Sequence, residues 1–233
     1  MRKLYVVPII HMSADLGTLA PAIDRKGIAQ FGKGFWLRHK ETVALFWNSV
    51  AKFFDALEVK VFNIYQDGLI ADGEMGMRIV EEGIKQGSKN YEIIAGLLKR
   101  GASLVRTEDL SLVKKEYDSI SRIVRSKSSG GKIIASLRYK LIQNKLLKER
   151  DNSIAERIDK TLNDGETGIL FIGAYHNVIP KLPEDIEIHE VKETRKVREY
   201  QRLLPNPGGD KKYFEQLAEY LVSPCYLKLT HKT

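Results

Sequence analysis

Two of the five histidines lie directly after short apolar runs. His11 follows residues 4–10 (LYVVPII), and His176 follows residues 168–173 (GILFIG) after a spacer of two residues. Short runs rich in β-branched residues and ended by polar residues are typical of buried strands. Ligands of an open parallel sheet bind outside the carboxyl ends of its strands. Both imidazoles are therefore predicted at the edge where a ligand would bind.

Carboxylates follow two further runs of the same kind. Asp67 comes just after residues 59–65 (VKVFNIY), with Glu74 a short distance beyond it, and Glu108 comes just after residues 103–106 (SLVR). Two histidines with one or two carboxylates can hold a divalent cation and leave a position open for water. Without a metal, a histidine–carboxylate pair can act as a general base on water.

The same residues also have a structural interpretation. Loops are polar, so polar residues end strands whether or not they do chemistry, and Asp67-Gly68 is a common turn pair. Asp109, next to Glu108, is a suitable N-cap for the helix that follows. A shared site is favoured because both histidines fall at strand ends.

The elements that would position these residues alternate along the chain. Five strands are predicted, at residues 4–10, 59–65, 103–106, 168–173 and 186–191; the last alternates apolar and polar residues, as an edge strand does. Helices are predicted at residues 41–57, 74–86, 91–100, 110–125, 133–162 and 211–221. The helix at 133–162 is predicted as one helix or two, since Asp151-Asn152-Ser153 supplies an N-cap candidate at which a second could begin. This alternation predicts a single α/β domain over residues 1–233, with a mainly parallel central sheet of about five strands and helices on both faces.

Residues 11–40 show no clear periodicity and are predicted as a long loop. Connections of that length are usually functional, and Gly27, Gly32 and Gly34 favour a mobile lid over the site. Residues 27–33 also fit GxxxxGK, the start of a phosphate-binding loop. However, Gly34 stands where that loop needs Ser or Thr, and the run lies far from the preceding strand. A lid is therefore favoured over a nucleotide loop.

Composition limits the class of protein. The single cysteine, Cys225, allows no intramolecular disulfide, which suits a reducing, cytoplasmic location. No apolar stretch approaches the roughly 18–20 residues of a membrane span, so no membrane partner is expected. The net charge of +8 raises the possibility of a nucleic-acid partner, with dense basic stretches at residues 122–132 and 138–150. Because 30 acidic residues are interleaved with the 38 basic ones, an ordinary basic surface is favoured.

The residues before and within the fourth predicted strand resemble a known group. The chain reads Arg150-Asp151, then a helical stretch, then an apolar run that ends in Gly173-Ala-Tyr-His176. This is similar to the carboxyl-terminal signature of the TraB/TIKI group, which belongs with the erythromycin-esterase-like and ChaN-like proteins. That signature pairs an Arg-Asp before a helix with an apolar strand ending in GxxH. The group carries a second GxxH near its amino terminus, where this chain has Pro8-Ile-Ile-His11, with proline in place of glycine.

The resemblance implies several activities, because the group is diverse. TIKI proteins are described as metal-dependent proteases, the esterases use histidine-assisted hydrolysis, ChaN binds haem, and TraB roles are often regulatory. By matching position, His11 and His176 would be the two GxxH histidines and Arg150 the arginine. The acidic partner has no unambiguous match, and Asp67 and Glu74 are the candidates. Haem binding is not expected.

These observations predict a hydrolase-like protein with a histidine–carboxylate site assisted by a divalent metal ion. The predicted catalytic residues are His11, His176, Arg150 and Asp67, and the predicted metal ligands are His11, His176, Asp67, Glu74 and Glu108. The metal would lower the pKa of a bound water to near 7, and Arg150 would stabilise the developing oxyanion. The alternative is a regulatory protein that binds a ligand or a nucleic acid without turnover. The sequence identifies neither the substrate, whether small molecule or peptide, nor the oligomeric state.

Overall fold

The computed structural model describes residues 1–11, 20–58, 62–126, 128–226 and 228–229. The strands are β1 (Arg2–Ile9), β2 (Phe62–Gln66), β3 (Ser103–Leu104), β4 (Thr167–Gly173), β5 (Ile186–Glu190) and β6 (Lys228–Leu229). The helices are α1 (Ala20–Phe31), α2 (Lys33–Asp55), α3 (Gly73–Lys85), α4 (Lys89–Lys99), α5 (Leu110–Arg125), α6 (Ser129–Thr161), α7 (Thr194–Leu203) and α8 (Lys211–Val222). A short 3₁₀ turn lies at Ile179–Lys181, between β4 and β5.

All of these strands belong to one sheet, in the order β3-β2-β4-β1-β5-β6. Strands β1 to β5 are mutually parallel, and the short β6 runs antiparallel beside the end of β5. This confirms the predicted α/β domain with its central parallel sheet of five strands. Because β4 lies between β1 and β2, the carboxyl ends of these three strands meet at one edge.

The sheet is covered on both faces, as predicted. Alternate residues of a strand point to opposite faces. In β1, Tyr5 and Val7 pack in the core formed with α2, α4, α7 and α8, whereas Leu4 and Val6 pack against the carboxyl-terminal half of α6. The continuous apolar runs of β1 and β4 therefore reflect burial on both sides.

The predicted boundaries mostly hold. Helix α6 is continuous, so of the two predicted alternatives the single helix is confirmed and no second helix begins at residues 151–153. Helix α7 was not predicted, and β5 is the outermost long strand but is paired at its end by β6. Residues 59–61 of the second predicted strand lie outside the described residues. Asp109 is confirmed as the N-cap of α5, because its carboxylate accepts hydrogen bonds from the N–H groups of Ser111 and Leu112 at 2.8 and 3.3 Å.

The predicted loop at residues 11–40 is wrong from residue 20 onwards, and residues 12–19 lie outside the described residues. Helices α1 and α2 fill this stretch and are separated only by Gly32, whose φ of 80° favours glycine. Gly27 lies against the indole ring of Trp36, where a Cβ atom would collide. Trp36 also donates a hydrogen bond to Asp24 across the two helices, at 2.9 Å. The glycines therefore serve a turn and a helix contact, which removes the basis for a lid or a phosphate loop.

His39, on α2, is buried by this packing. Its Nδ1 lies 2.8 Å from the Tyr200 hydroxyl of α7, and the Trp36 ring lies against it. Burial lowers the pKa of His39 from 6.5 to about 4, because the apolar surroundings disfavour its charged form.

Acidification should therefore destabilise the protein through His39. The unfolded chain binds a proton there near pH 6.5, whereas the folded protein resists protonation until about pH 4, so stability falls across this window. A fall in pKa from 6.5 to about 4 corresponds to about 3 kcal/mol. The free energy of unfolding, measured with urea between these pH values, should fall more steeply with decreasing pH for the wild type than for His39→Asn. Equal slopes would contradict this account.

Candidate functional site

Asp67 joins the carboxyl ends of two neighbouring strands. It follows β2 directly, and its N–H donates to the Phe171 carbonyl of β4 at 2.9 Å. Its Oδ2 accepts a hydrogen bond from the N–H of Gly173 at 3.0 Å. A Cβ atom at Gly173 would lie 3.0 Å from this same oxygen, which explains why glycine ends β4. The carboxylate is thus held in place by the backbone of β4.

His176 lies between two carboxylates. The turn after β4 is closed by a hydrogen bond from its N–H to the Gly173 carbonyl, at 3.0 Å. Its Nδ1 is 2.6 Å from Oδ1 of Asp151 on α6, and its Nε2 is 3.5 Å from Oδ2 of Asp67. Asp151 also accepts a hydrogen bond from the N–H of Asn177 at 3.0 Å. Both the ring and its carboxylate partner are therefore fixed in orientation.

Arg150 gathers three carboxylates from three different segments. Its Nη2 donates to Asp67 at 2.7 Å and to Glu108 at 2.5 Å, and its Nε donates to Glu108 at 3.3 Å. Its Nη1 donates to Glu116 of α5. The side chain is only 8% exposed, so water screens these interactions little. Arg150 and Asp151 are consecutive on α6, and that helix therefore supplies both the cation and the partner of His176.

Glu108 is placed by the loop that follows β3. The N–H groups of Thr107 and Glu108 both donate to the Leu69 carbonyl at 3.0 Å, and the Thr107 hydroxyl accepts the N–H of Gln66 at 2.9 Å. These bonds tie the loop to the turn after β2. The Glu108 side chain has no exposed surface, so its carboxylate depends on Arg150 for compensation.

The charges of this cluster shift the pKa values of its members in opposite directions. Burial alone would raise the pKa of Asp67, but the positive charges of His176 and Arg150 outweigh it and hold that pKa below its ordinary value. Burial alone would lower the pKa of His176, but the Asp151 hydrogen bond and the Asp67 charge raise it above 6.5. Burial raises the pKa of Glu108, and Arg150 offsets only part of this effect. The cluster thus favours the ionised form of Asp67 and the protonated form of His176.

The two remaining predicted residues differ in position. His11 is exposed just beyond β1, and its charge also helps to lower the pKa of Asp67, so it borders the cluster. Glu74 is exposed in the first turn of α3. Within the described part of the chain, no hydrogen bond or ion pair joins Glu74 to the other predicted residues. The structure therefore brings Asp67, Glu108 and Arg150 together with the two histidines, and leaves Glu74 aside.

No protein-family model, curated protein or solved structure matches this chain. The resemblance to the TraB/TIKI group therefore stays a prediction from the residues quoted above. Arg150 and Asp151 lie inside α6 rather than before a helix. They nevertheless contact Asp67 and His176, the residues that follow two adjacent strands.

The predicted metal ligands do not fit a metal centre in this arrangement. In the ranges that the structure describes, no group of three or more His, Cys, Asp or Glu side chains could hold a metal ion. Asp67 and Glu108 instead point their oxygens at the guanidinium of Arg150, which stays charged in proteins. A divalent cation between these carboxylates would meet that fixed positive charge. Metal binding stays a prediction, and the mechanism proposed below uses no metal.

Two members of the cluster were not predicted as site residues. Asp151 had a signal in the sequence, since it shares a helical face with Ile154 and Ile158, both buried. An acidic residue on the buried face of a helix needs a partner, and His176 supplies it. Glu116 had no such signal, because an acidic residue in an amphipathic helix is usually solvated.

Proposed function

We propose that this chain is a hydrolase whose histidine–carboxylate site lies at the carboxyl edge of the sheet. The observation that supports this most is the buried imidazole of His176, held between Asp151 and Asp67 and raised in pKa. Ionisable groups whose environments push their pKa values apart are typical of acid–base sites. The Asp67 side chain is 17% exposed and His11 is exposed beside it, so the cluster reaches solvent.

In this proposal His176 is the general acid. Its raised pKa, caused by the Asp151 hydrogen bond and the Asp67 charge, favours the imidazolium form that an acid needs. Asp151 accepts a hydrogen bond from Nδ1–H, which orients the ring and leaves the Nε2–H directed towards Asp67. From there the proton can be transferred to a leaving group as the scissile bond breaks.

His11 is the general base, and Asp67 is its charged neighbour. His11 would take a proton from water while the resulting hydroxide attacks the electrophilic carbon or phosphorus of the substrate. Asp67 has a lowered pKa and both its oxygens are engaged, so it is a weak base. Its negative charge instead favours the protonated form of His176. One proton is taken from water and one is given to the leaving group, so the step balances.

Arg150 acts as a positioning residue in this proposal. Its side chain is almost fully buried, and its Nε, Nη1 and Nη2 all donate to carboxylates. These bonds leave it poorly placed for the oxyanion contact that the sequence suggested. Its effect on chemistry would come through holding Asp67 and Glu108 in place.

The test is hydrolysis of chromogenic ester, amide and phosphoester substrates by the purified chain and by His11→Asn. Removing an acid–base group typically costs about 10²–10⁴-fold in rate. We expect one substrate class to be cleaved, His11→Asn to lose activity on this scale, and its melting temperature to stay unchanged because His11 is exposed. A chelator should leave the activity intact.

Two results would contradict the proposal. One is the absence of hydrolysis across all three substrate classes by a folded wild type, which would favour a protein that binds a ligand without turnover. The other is full activity in His11→Asn, which would remove His11 from the mechanism. If a chelator abolished the activity and a divalent ion restored it, the metal-assisted mechanism predicted from the sequence would be supported instead.

A further inference from the structure

Helix α5 and the first half of α6 form a helical hairpin that lies outside the core. Every described side chain in residues 110–145 is at least partly exposed. Burial begins at Leu146, and from there α6 carries Arg150, Asp151 and Ile154 into the domain. At 1.5 Å per residue, α6 is about 50 Å long, so half of it extends past the residues that pack on the sheet.

Residues 119–148, which form most of this hairpin and its junction with the domain, carry the entire net charge of the protein. Residues 119–148 contain eight of the 38 basic residues and none of the 30 acidic ones, so the rest of the chain carries 30 of each sign. The eight are Arg122, Arg125, Lys127, Lys132, Arg138, Lys140, Lys145 and Lys148. The interleaving of charges expected from the overall composition is therefore wrong for this segment. One-signed clustering of this kind marks an anionic partner.

The hairpin also exposes a row of aliphatic side chains. Ile133, Leu137 and Leu141 follow one another at four-residue spacing on one face of α6, and they are 60%, 57% and 83% exposed. Arg138 and Lys140 flank this row on either side of the same helix. Exposed apolar surface next to basic residues marks an interaction site rather than ordinary solvated surface.

A groove of about 1000 Å³ runs between the two helices. Arg122, Arg125 and Arg138 line it together with the hydroxyl groups of Ser119 and Tyr139, and one carboxylate, Asp118, borders it. Within the described residues, no ion pair engages any of the three guanidinium groups. Their donors are therefore open to phosphate oxygens, which guanidinium binds in a bidentate manner.

We propose that this hairpin docks on the surface of a membrane that contains anionic phospholipid. Basic side chains would contact the headgroup phosphates, while Ile133, Leu137 and Leu141 would enter the boundary with the acyl chains. A nucleic acid would match the charge but leave the aliphatic row in water. A second copy of the chain would bring two strongly basic faces together, which is unfavourable.

This contact is peripheral. No helix in the described ranges combines the length and the apolar character that a bilayer crossing needs. The expectation of no membrane partner considered only spanning segments, and an amphipathic surface helix follows different rules.

The base of the hairpin is connected to the candidate site. The Tyr139 hydroxyl donates to Glu116 at 3.0 Å, and Glu116 accepts from Arg150. Variants that test membrane docking must therefore leave Tyr139 and Glu116 unchanged, so that the Arg150 cluster is not disturbed.

The test is sedimentation of the full chain with vesicles of phosphatidylcholine alone or mixed with phosphatidylserine in equal parts. One variant, Leu137→Ser/Leu141→Ser, removes apolar surface, and another, Arg122→Gln/Arg125→Gln/Arg138→Gln, removes charge. The matched control, Lys85→Gln/Lys99→Gln/Lys212→Gln, removes the same charge from exposed sites outside the hairpin. Because all these side chains are exposed or partly exposed, melting temperatures should not change.

We expect the wild type and the control to bind only the vesicles with phosphatidylserine. The arginine variant should partition about a hundredfold more weakly, on the order of fivefold per arginine. The serine variant should also lose binding. The proposal is overturned by equal binding to both vesicle types, by no binding, by equal loss in the control, or by hairpin-dependent dimers. It is also overturned if the wild type binds RNA in preference to the vesicles.

Discussion

Arg150→Met is expected to lower the free energy of unfolding by about 3–5 kcal/mol. The variant removes the cation that Asp67, Glu108 and Glu116 share, and it leaves these carboxylates close together and largely buried. Methionine fills a similar volume, so lost packing contributes little. Urea unfolding at neutral pH measures the effect.

Arg2→Met is the matched control for this prediction. Arg2 also pairs with two carboxylates, Asp159 and Asp185, but their side chains are 49% and 58% exposed. Arg2 itself is 11% exposed, but its removal leaves both carboxylates in contact with water, so the control should lose less stability than Arg150→Met. Equal losses in Arg2→Met and Arg150→Met would contradict the argument from burial.

The two variants should also differ in their response to acid. In Arg150→Met the buried carboxylates lose their compensating charge, and protonation relieves their repulsion. The gap in stability between Arg150→Met and the wild type should therefore narrow as the pH falls. A second substitution, Glu108→Gln, should recover part of the loss at neutral pH. If the difference in free energy of unfolding stays constant with pH, the destabilisation comes from lost packing and not from charge repulsion.

His176→Asn is expected to lower the rate of hydrolysis by about 10²–10⁴-fold on whichever substrate the wild type cleaves. Asparagine can keep a hydrogen bond to Asp151 in place of Nδ1, but it has no Nε2 proton to donate. His189→Asn is the control, since His189 is a buried histidine on β5 that lies outside the cluster. The rate of this control should match the wild type.

The dependence on pH separates an acid from a structural histidine. Because the pKa of His176 is raised above 6.5, the acid form persists past that pH, and activity should fall only as the pH rises through the raised value. Asp151→Asn removes the hydrogen bond that raises this pKa, so the alkaline limb should move to lower pH. If the alkaline limb does not move in Asp151→Asn, and activity falls only in proportion to the folded fraction, His176 has a structural role and is not the acid.

The free energy of unfolding should also depend on the protonation of His176. The folded protein holds the His176 proton more tightly than the unfolded chain does. The stabilisation is therefore complete below about pH 6.5 and is lost as the pH rises through the folded-state pKa. His176→Asn should lack this alkaline loss. Unfolding curves of wild type and variant on either side of neutral pH measure it.

The sequence by itself determined the sheet and the edge at which the polar residues collect. Buried parallel strands must be almost continuously apolar, and their first polar residues then fall at the carboxyl ends. This local rule places His11, Asp67, Glu108 and His176 correctly. The sequence did not predict α1, because Gly27 within it looked like a loop residue. Only the structure shows that this glycine makes room for the ring of Trp36 on α2.

Only the tertiary structure decided which of these residues meet. The strand order puts β4 between β1 and β2, so His176 lies beside Asp67. Arg150 is separated by 83, 42 and 34 residues from Asp67, Glu108 and Glu116, and no periodicity links positions so far apart. The absence of acidic residues from positions 119–148 can be read from the sequence alone. Its meaning depends on which side chains the hairpin leaves uncovered, because charge and apolar surface act on a partner only where they are exposed.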